Sequence, residues 1–161
     1  MIFNKESQFK IQPMYILIVL LIVLFDQITK FLVRHYMDLN QSIPIIKNIF
    51  HLTYITNTGT FFGLFQGTAQ ANLFFVIFTI ILLGGITYVF NKLDSFEKPF
   101  FALIIGAAIG NLIDRLVFGH VIDFLDLRFW PVFNVADTVL SISLVVLIIY
   151  TIKEGVINSK T

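Results

Sequence analysis

MYILIVLLIVLFDQITKFLV, residues 14–33, decides the fold: an apolar run breaks near its end at Asp26, Gln27 and Lys30, then resumes. A run of about 20 apolar residues is what a helix needs to cross a bilayer core. Residues 71–90, 100–117 and 135–152 are three more runs of near-spanning length. Of the 161 residues 57% are hydrophobic and only 13% charged, with 19 Phe, a composition far more apolar than a water-soluble domain of this size carries. The sequence predicts a mainly α membrane protein, a single integral-membrane domain over 1–161 with four transmembrane helices.

Lys5 and Lys10 precede the first run as they would in a signal peptide. No small-residue cleavage site follows and charges interrupt the run, so it is read as a retained span. An even number of spans puts both termini on one side. Lys5, Lys10, Lys92, Lys98, Lys153 and Lys160 fall on that side and outnumber Arg34, Lys47 and Arg128 opposite, which predicts cytoplasmic termini.

The absence of cysteine excludes disulfides, thiolate catalysis and Cys-based metal sites. His35, His51 and His120 lack any metal-binding spacing, and a net charge of +1 gives no footprint for nucleic acid. No cofactor is implied.

The connections are unequal. Residues 91–99 form a short charged turn, whereas residues 34–70 are long and mixed, with FHLTYIT at 50–56 rich in β-branched and aromatic residues. Residues 34–70 are expected to form a few short strands at the outer membrane surface. The segment runs into NTGTFFG at 57–63, where Gly59 and Gly63 allow tight turning and Phe61 and Phe62 can dip into the interface. The last loop, 118–132, holds alternating apolar residues over 120–126 and then Phe129 and Trp130, which suit the headgroup level.

Carboxylates are costly at membrane depth, so those within or beside the spans ask for a job. Asp26 and Lys30 are spaced i, i+4 and share a helix face, either neutralising each other or building a site. In the third span, Gly106 and Gly110 form a small-xxx-small face for close helix packing. Asn111 and Arg115 share another face, Arg115 with the option of snorkelling outward, while Asp114 is offset and free to pair with a neighbour. Asn134 and Asp137 read as a helix start, an N-cap followed by an acid in the first turn. Asp123, in GHVIDF at 119–124, precedes Asp137, in FNVAD at 133–137, on one short loop. Two carboxylates brought together there suit shared-proton acid/base chemistry, with Asp126 as a rival partner.

DQITK at 26–30, NTGTFFG at 57–63, GNLIDR at 110–115, VIDF at 121–124 and FNVAD at 133–137 occur in that order on the four predicted spans. Together they resemble the bacterial lipoprotein signal peptidases, or signal peptidase II. The resemblance implies an intramembrane aspartic endopeptidase: four transmembrane helices with a small extracytoplasmic β-rich cradle, in the bacterial cytoplasmic membrane with the active site near the outer face. It implies prolipoprotein substrates whose lipobox cysteine carries diacylglycerol, cleaved just before that cysteine, contact with membrane lipid, and inhibition by globomycin-type cyclic peptides. By position it makes Asp123 and Asp137 the catalytic pair, and Asp26, Lys30, Asn57, Gly59, Asn111, Arg115 and Asn134 the residues that bind substrate or support the site. Family members commonly carry Ala-Ala where this chain has Thr60 and Phe61, and glycine where it has Ala107, differences that bear on substrate preference.

On this reading Asn57, Asn111 and Asn134 are expected to hold the unwound substrate backbone and Arg115 a carbonyl or a carboxylate. The competing class is a small transporter or channel in which Asp26, Lys30 and Asp114 line an ion path. It would place polar residues near mid-membrane, whereas here they gather toward one end, beside the long segment. A non-catalytic relative that binds lipidated peptides fits the same motifs.

Overall fold

The computed structural model describes residues 12–59 and 69–158. Thr60, Phe61, Phe62 and Gly63, and the flanking Lys5, Lys10 and Lys160, lie outside the described residues.

Each predicted span is a helix: α1 at Pro13–Tyr36, α2 at Ala69–Val89, α3 at Glu97–Phe118 and α4 at Val135–Asn158, with a 3₁₀ turn at Phe90–Lys92. All four are long and apolar enough to cross a membrane. Between α1 and α2 lie strands β1 (Ser42–Ile46) and β2 (Phe50–Asn57), and between α3 and α4 strand β3 (Val121–Asp126). The three strands form one antiparallel sheet in the order β1-β2-β3.

The helix ends follow local chemistry. Pro13 at the start of α1 gives up an amide that has no helical partner there. Asp94 and Glu97 make a capping box for α3: Asp94 Oδ1 accepts the Glu97 N–H at 2.8 Å, and Glu97 Oε2 accepts the Asp94 N–H at 3.0 Å. Gly119, left-handed at φ 77°, closes the other end by donating its N–H to the Arg115 carbonyl at 3.2 Å.

Large apolar side chains on α1, α2 and α4 point outward, among them Leu20, Leu24, Phe74, Ile81 and Ile148. Lipid is as apolar as leucine, so helices in a bilayer associate through small residues and polar contacts rather than hydrophobic burial. α3 does this as the central helix: 44% of its most apolar window is buried, against 17% for each of the others. A Cβ added at Gly106 would stand 2.9 Å from Ile22 Cβ and 3.1 Å from the Val19 carbonyl, so the small-residue face of α3 lies on α1. Ala102, Ala107 and Ala108 are also buried.

At the termini end, Tyr15, Phe90 and Ala102 pack together. At the sheet end, Val33, Tyr54, Ile122 and Phe124 join the top of α1 to β2 and β3. Phe133 pins the last loop by accepting the Leu125 N–H at 2.7 Å and returning its own at 3.0 Å.

Candidate active site

The polar residues converge at the sheet end of the bundle. On α1, Asp26 and Lys30 are 0% and 1% exposed, and the Lys30 ammonium lies 2.8 Å from Asp26 Oδ2. They are not a self-contained pair. Lys30 also lies 2.9 Å from Asp114 Oδ2 and donates to Asn111 Oδ1 at 2.9 Å, so each ammonium proton has an acceptor. Asp114, offset from Asn111 and Arg115 in the sequence, thereby finds its neighbour on α1.

Gln27 is a site residue that the sequence reasoning missed. Its amide donates to Asp114 Oδ1 at 2.9 Å and to the Gly110 carbonyl at 3.1 Å. The signal was its position, one residue from Asp26 within an apolar run. Two backbone amides complete the cluster: Asp26 Oδ1 accepts the Ala136 N–H at 3.0 Å, and Asp114 Oδ2 accepts the Ile122 N–H at 3.1 Å.

Above this layer sit Asp123 and Asp137. Asp123, on β3, is 1% exposed. Its Oδ2 accepts Asn57 Nδ2 from β2 at 2.9 Å and its Oδ1 accepts Asn134 Nδ2 at 2.7 Å. Asp137, in the first turn of α4, is half-buried and accepts Asn111 Nδ2 on Oδ1 at 2.8 Å. Asn134 is the N-cap expected of it. Its Oδ1 accepts the Asp137 N–H at 2.9 Å and Asp137 Oδ2 accepts the Asn134 N–H at 3.3 Å, a reciprocal box. One asparagine therefore joins both aspartates while starting the helix that carries one of them.

The three asparagines are tied into the protein's own network. Both ends of each amide are engaged within the protein: Asn57 Oδ1 takes the Gly59 N–H at 3.0 Å, and Asn111 Oδ1 takes Lys30 and, at 3.1 Å, Asn134 Nδ2. Through Nδ2 each of the three donates to one of the two carboxylates. Burial, and after it the charge of Asp137, raises the Asp123 carboxyl from 3.8 to about 7, against the opposing bonds from Asn57 and Asn134.

Arg115 does not snorkel clear of the site. Its guanidinium lies 5.3 Å from the Phe75 ring centroid, within electrostatic reach of Asp137, Asp123 and Asp114. Gly59 is buried against the same ring, and a Cβ there would come within 2.9 Å of it. Asp126 belongs elsewhere. It pairs with Arg128 at 2.9 Å and accepts the Thr53 hydroxyl at 2.7 Å, in a polar group that continues through Ser42 to His51.

Beside Asp137 opens a cleft of about 260 Å³ lined by Leu127, Phe129, Trp130, Phe133, Thr138 and Ser141 among others. A half-buried carboxylate facing this cleft, next to a fully buried one, can exchange a proton with a bound molecule while its partner stays out of water. Among the described residues, no three His, Cys, Asp or Glu are grouped to hold a metal ion.

Residues 18–153 match a sequence model described as "Signal peptidase (SPase) II". Two curated relatives are named lipoprotein signal peptidase: one from Halothermothrix orenii, 44% identical over 85% of this chain and 94% of its own, and one from Moorella thermoacetica, 41% identical over 83% and 89%. Two solved structures described as bacterial membrane enzymes superpose. The first has a TM-score of 0.81 at 33% identity, over 89% of this chain and 90% of the other. The second has 0.77 at 34%, over 88% and 94%.

Proposed function

The chain belongs to the signal peptidase II family, and from that premise we propose that it is an aspartic endopeptidase that removes signal peptides from prolipoproteins, cleaving before a diacylglyceryl-modified cysteine with Asp123 and Asp137 as the reacting pair. The observation that carries this reading is the bridge through Asn134, whose side-chain amide donates to the Asp123 carboxylate and whose backbone N–H donates to that of Asp137, so that two carboxylates from different elements share one partner.

Peptide hydrolysis without metal or nucleophilic side chain needs one carboxylate to take a proton from water and another, protonated, to polarise the scissile carbonyl. The hydroxide equivalent adds to the carbonyl carbon, and the C–N bond breaks as the amine takes a proton from the pair. A buried pair keeps one proton near neutral pH because each charge opposes the other, and the titration belongs to both. The raised Asp123 carboxyl accords with such a pair. Asn57, Asn111 and Asn134 keep the carboxylates aimed, and Arg115, within electrostatic reach of both, would stabilise negative charge that develops beside them. The half-buried Asp137 and its cleft are where substrate would meet the pair, at the outer face if the termini are cytoplasmic.

The test is a gel-shift cleavage assay on a diacylglyceryl-modified prolipoprotein, with and without globomycin, beside Asp123→Asn and Asp137→Asn. Inhibitor-sensitive cleavage lost in both folded variants is expected. Wild-type-like turnover by either variant would remove the pair from the mechanism, and inhibitor-bound wild type that never cleaves would mark a lipopeptide binder.

A further inference from the structure

The cluster beneath the reacting pair holds Asp26, Lys30 and Asp114 at 0%, 1% and 0% exposure. With one cation and two anions, it does not neutralise itself. Buried ions are seldom a net source of stability, since desolvation offsets their attraction and apolar residues of similar size often do as well. Their backbone partners show a different use. Asp26 holds the N–H of Ala136, the residue immediately before Asp137; Asp114 holds the N–H of Ile122, the residue immediately before Asp123. Lys30 lies between the two anions and spends its remaining proton on Asn111 Oδ1, which turns the Asn111 amide so that Nδ2 faces Asp137.

We propose that Asp26, Lys30 and Asp114 are a positioning device for the catalytic pair: each anion grips the backbone N–H of the residue just before one of the two aspartates, and the ammonium sets the distance between the grips and the orientation of the Asn111 amide. This rests on the assignment of Asp123 and Asp137 above. A trans peptide fixes successive Cα atoms about 3.8 Å apart, so holding the amides of residues 122 and 136 limits where the next Cα atoms can lie. The ammonium, surrounded by acceptors at 2.8 to 2.9 Å, has no proton left for a substrate. These are therefore positioning residues and not catalytic ones.

The experiment measures kcat and KM for a diacylglyceryl-modified prolipoprotein across pH with full-length Asp26→Asn, Asp114→Asn and Asp114→Leu, beside wild type and Asp123→Asn. Thermal unfolding in the same detergent checks that each is folded. Asparagine keeps an acceptor for the backbone N–H and leucine does not. The expected result is a fall in kcat of roughly 10-fold for the asparagine variants and 100-fold or more for leucine, with KM within about twofold, since misplaced reacting groups lower kcat without loosening the bound substrate. The charges facing the pair from α1 and α3 are Asp26, Lys30, Asp114 and Arg115. Removing one anion leaves Lys30 less compensated, so the alkaline limb of the activity profile moves to lower pH.

Should leucine fail to fold, the asparagine variants carry the test. Wild-type kcat in folded asparagine variants would overturn the proposal, as would activity that merely follows the folded fraction with an unmoved pH profile. Turnover by Asp123→Asn would instead overturn the assignment of the pair itself.

Discussion

Replacing Gly110 with alanine places one methyl group against the buried carboxylate of Asp26. The new Cβ would stand 2.5 Å from Asp26 Oδ2 and 3.1 Å from its Cγ. The first distance is about 0.9 Å short of ordinary contact at 3.4 Å. The carboxylate cannot yield that much freely, because Oδ2 is 2.8 Å from Lys30 and Oδ1 is 3.0 Å from the Ala136 N–H. Either a charged hydrogen bond is given up, at about 1.5–3 kcal/mol, or α1 and α3 separate, at about 1–3 kcal/mol for overpacking. The expected loss is therefore on the order of 2–3 kcal/mol, read as a lowered unfolding midpoint in detergent, with cleavage activity falling further than the folded fraction because Asp26 also holds the approach to Asp137. Gly84→Ala on α2 is the control, since a Cβ there has nothing within 4 Å. Equal stability of Gly110→Ala and Gly84→Ala would refute the reasoning.

The titration of Asp123 gives a second test. Because its carboxyl is raised from 3.8 to about 7, chiefly by burial, the folded chain binds more protons than the unfolded chain between those values. Its contribution favours the fold at low pH and is lost as pH rises through that window, so wild type should lose more stability than Asp123→Asn between pH 4 and 8. Parallel midpoints for the two proteins over that range would contradict it. A third test separates the two aspartates of β3: Asp126→Asn should keep cleavage within a few-fold of wild type, because its partners Arg128 and Thr53 lie outside the reacting pair. Loss of cleavage comparable to Asp123→Asn, measured in the same gel-shift assay, would restore Asp126 as a candidate.

The spans were legible because lipid demands what residues 14–33 and their counterparts supply, long runs of outward-facing apolar side chains. The grouping of Asp26 with Lys30 was legible from helical spacing alone. The role of Asp114 was not, for it faces a different helix, and i, i+4 reasoning within α3 cannot see across to Lys30. Gln27 was invisible for the same reason.

The choice between Asp123 and Asp126 stayed open because the separation to Asp137 along the chain suits either. Strand geometry separates the two. Side chains alternate faces along a strand, so two residues an odd number apart point opposite ways. Asp123 pairs across the ladder with Ile55 and reaches Asn57 on the same face, whereas Asp126 lies opposite His51. The apolar alternation over 120–126 puts the two on opposite faces but leaves open which face meets Asp137. Neither spacing nor alternation could reveal that Ala136 and Ile122 matter through their backbone amides, because a backbone N–H leaves no mark in side-chain identity. That is why the layer beneath the two aspartates, with its hold on the N–H groups of Ala136 and Ile122, emerges only from the folded chain.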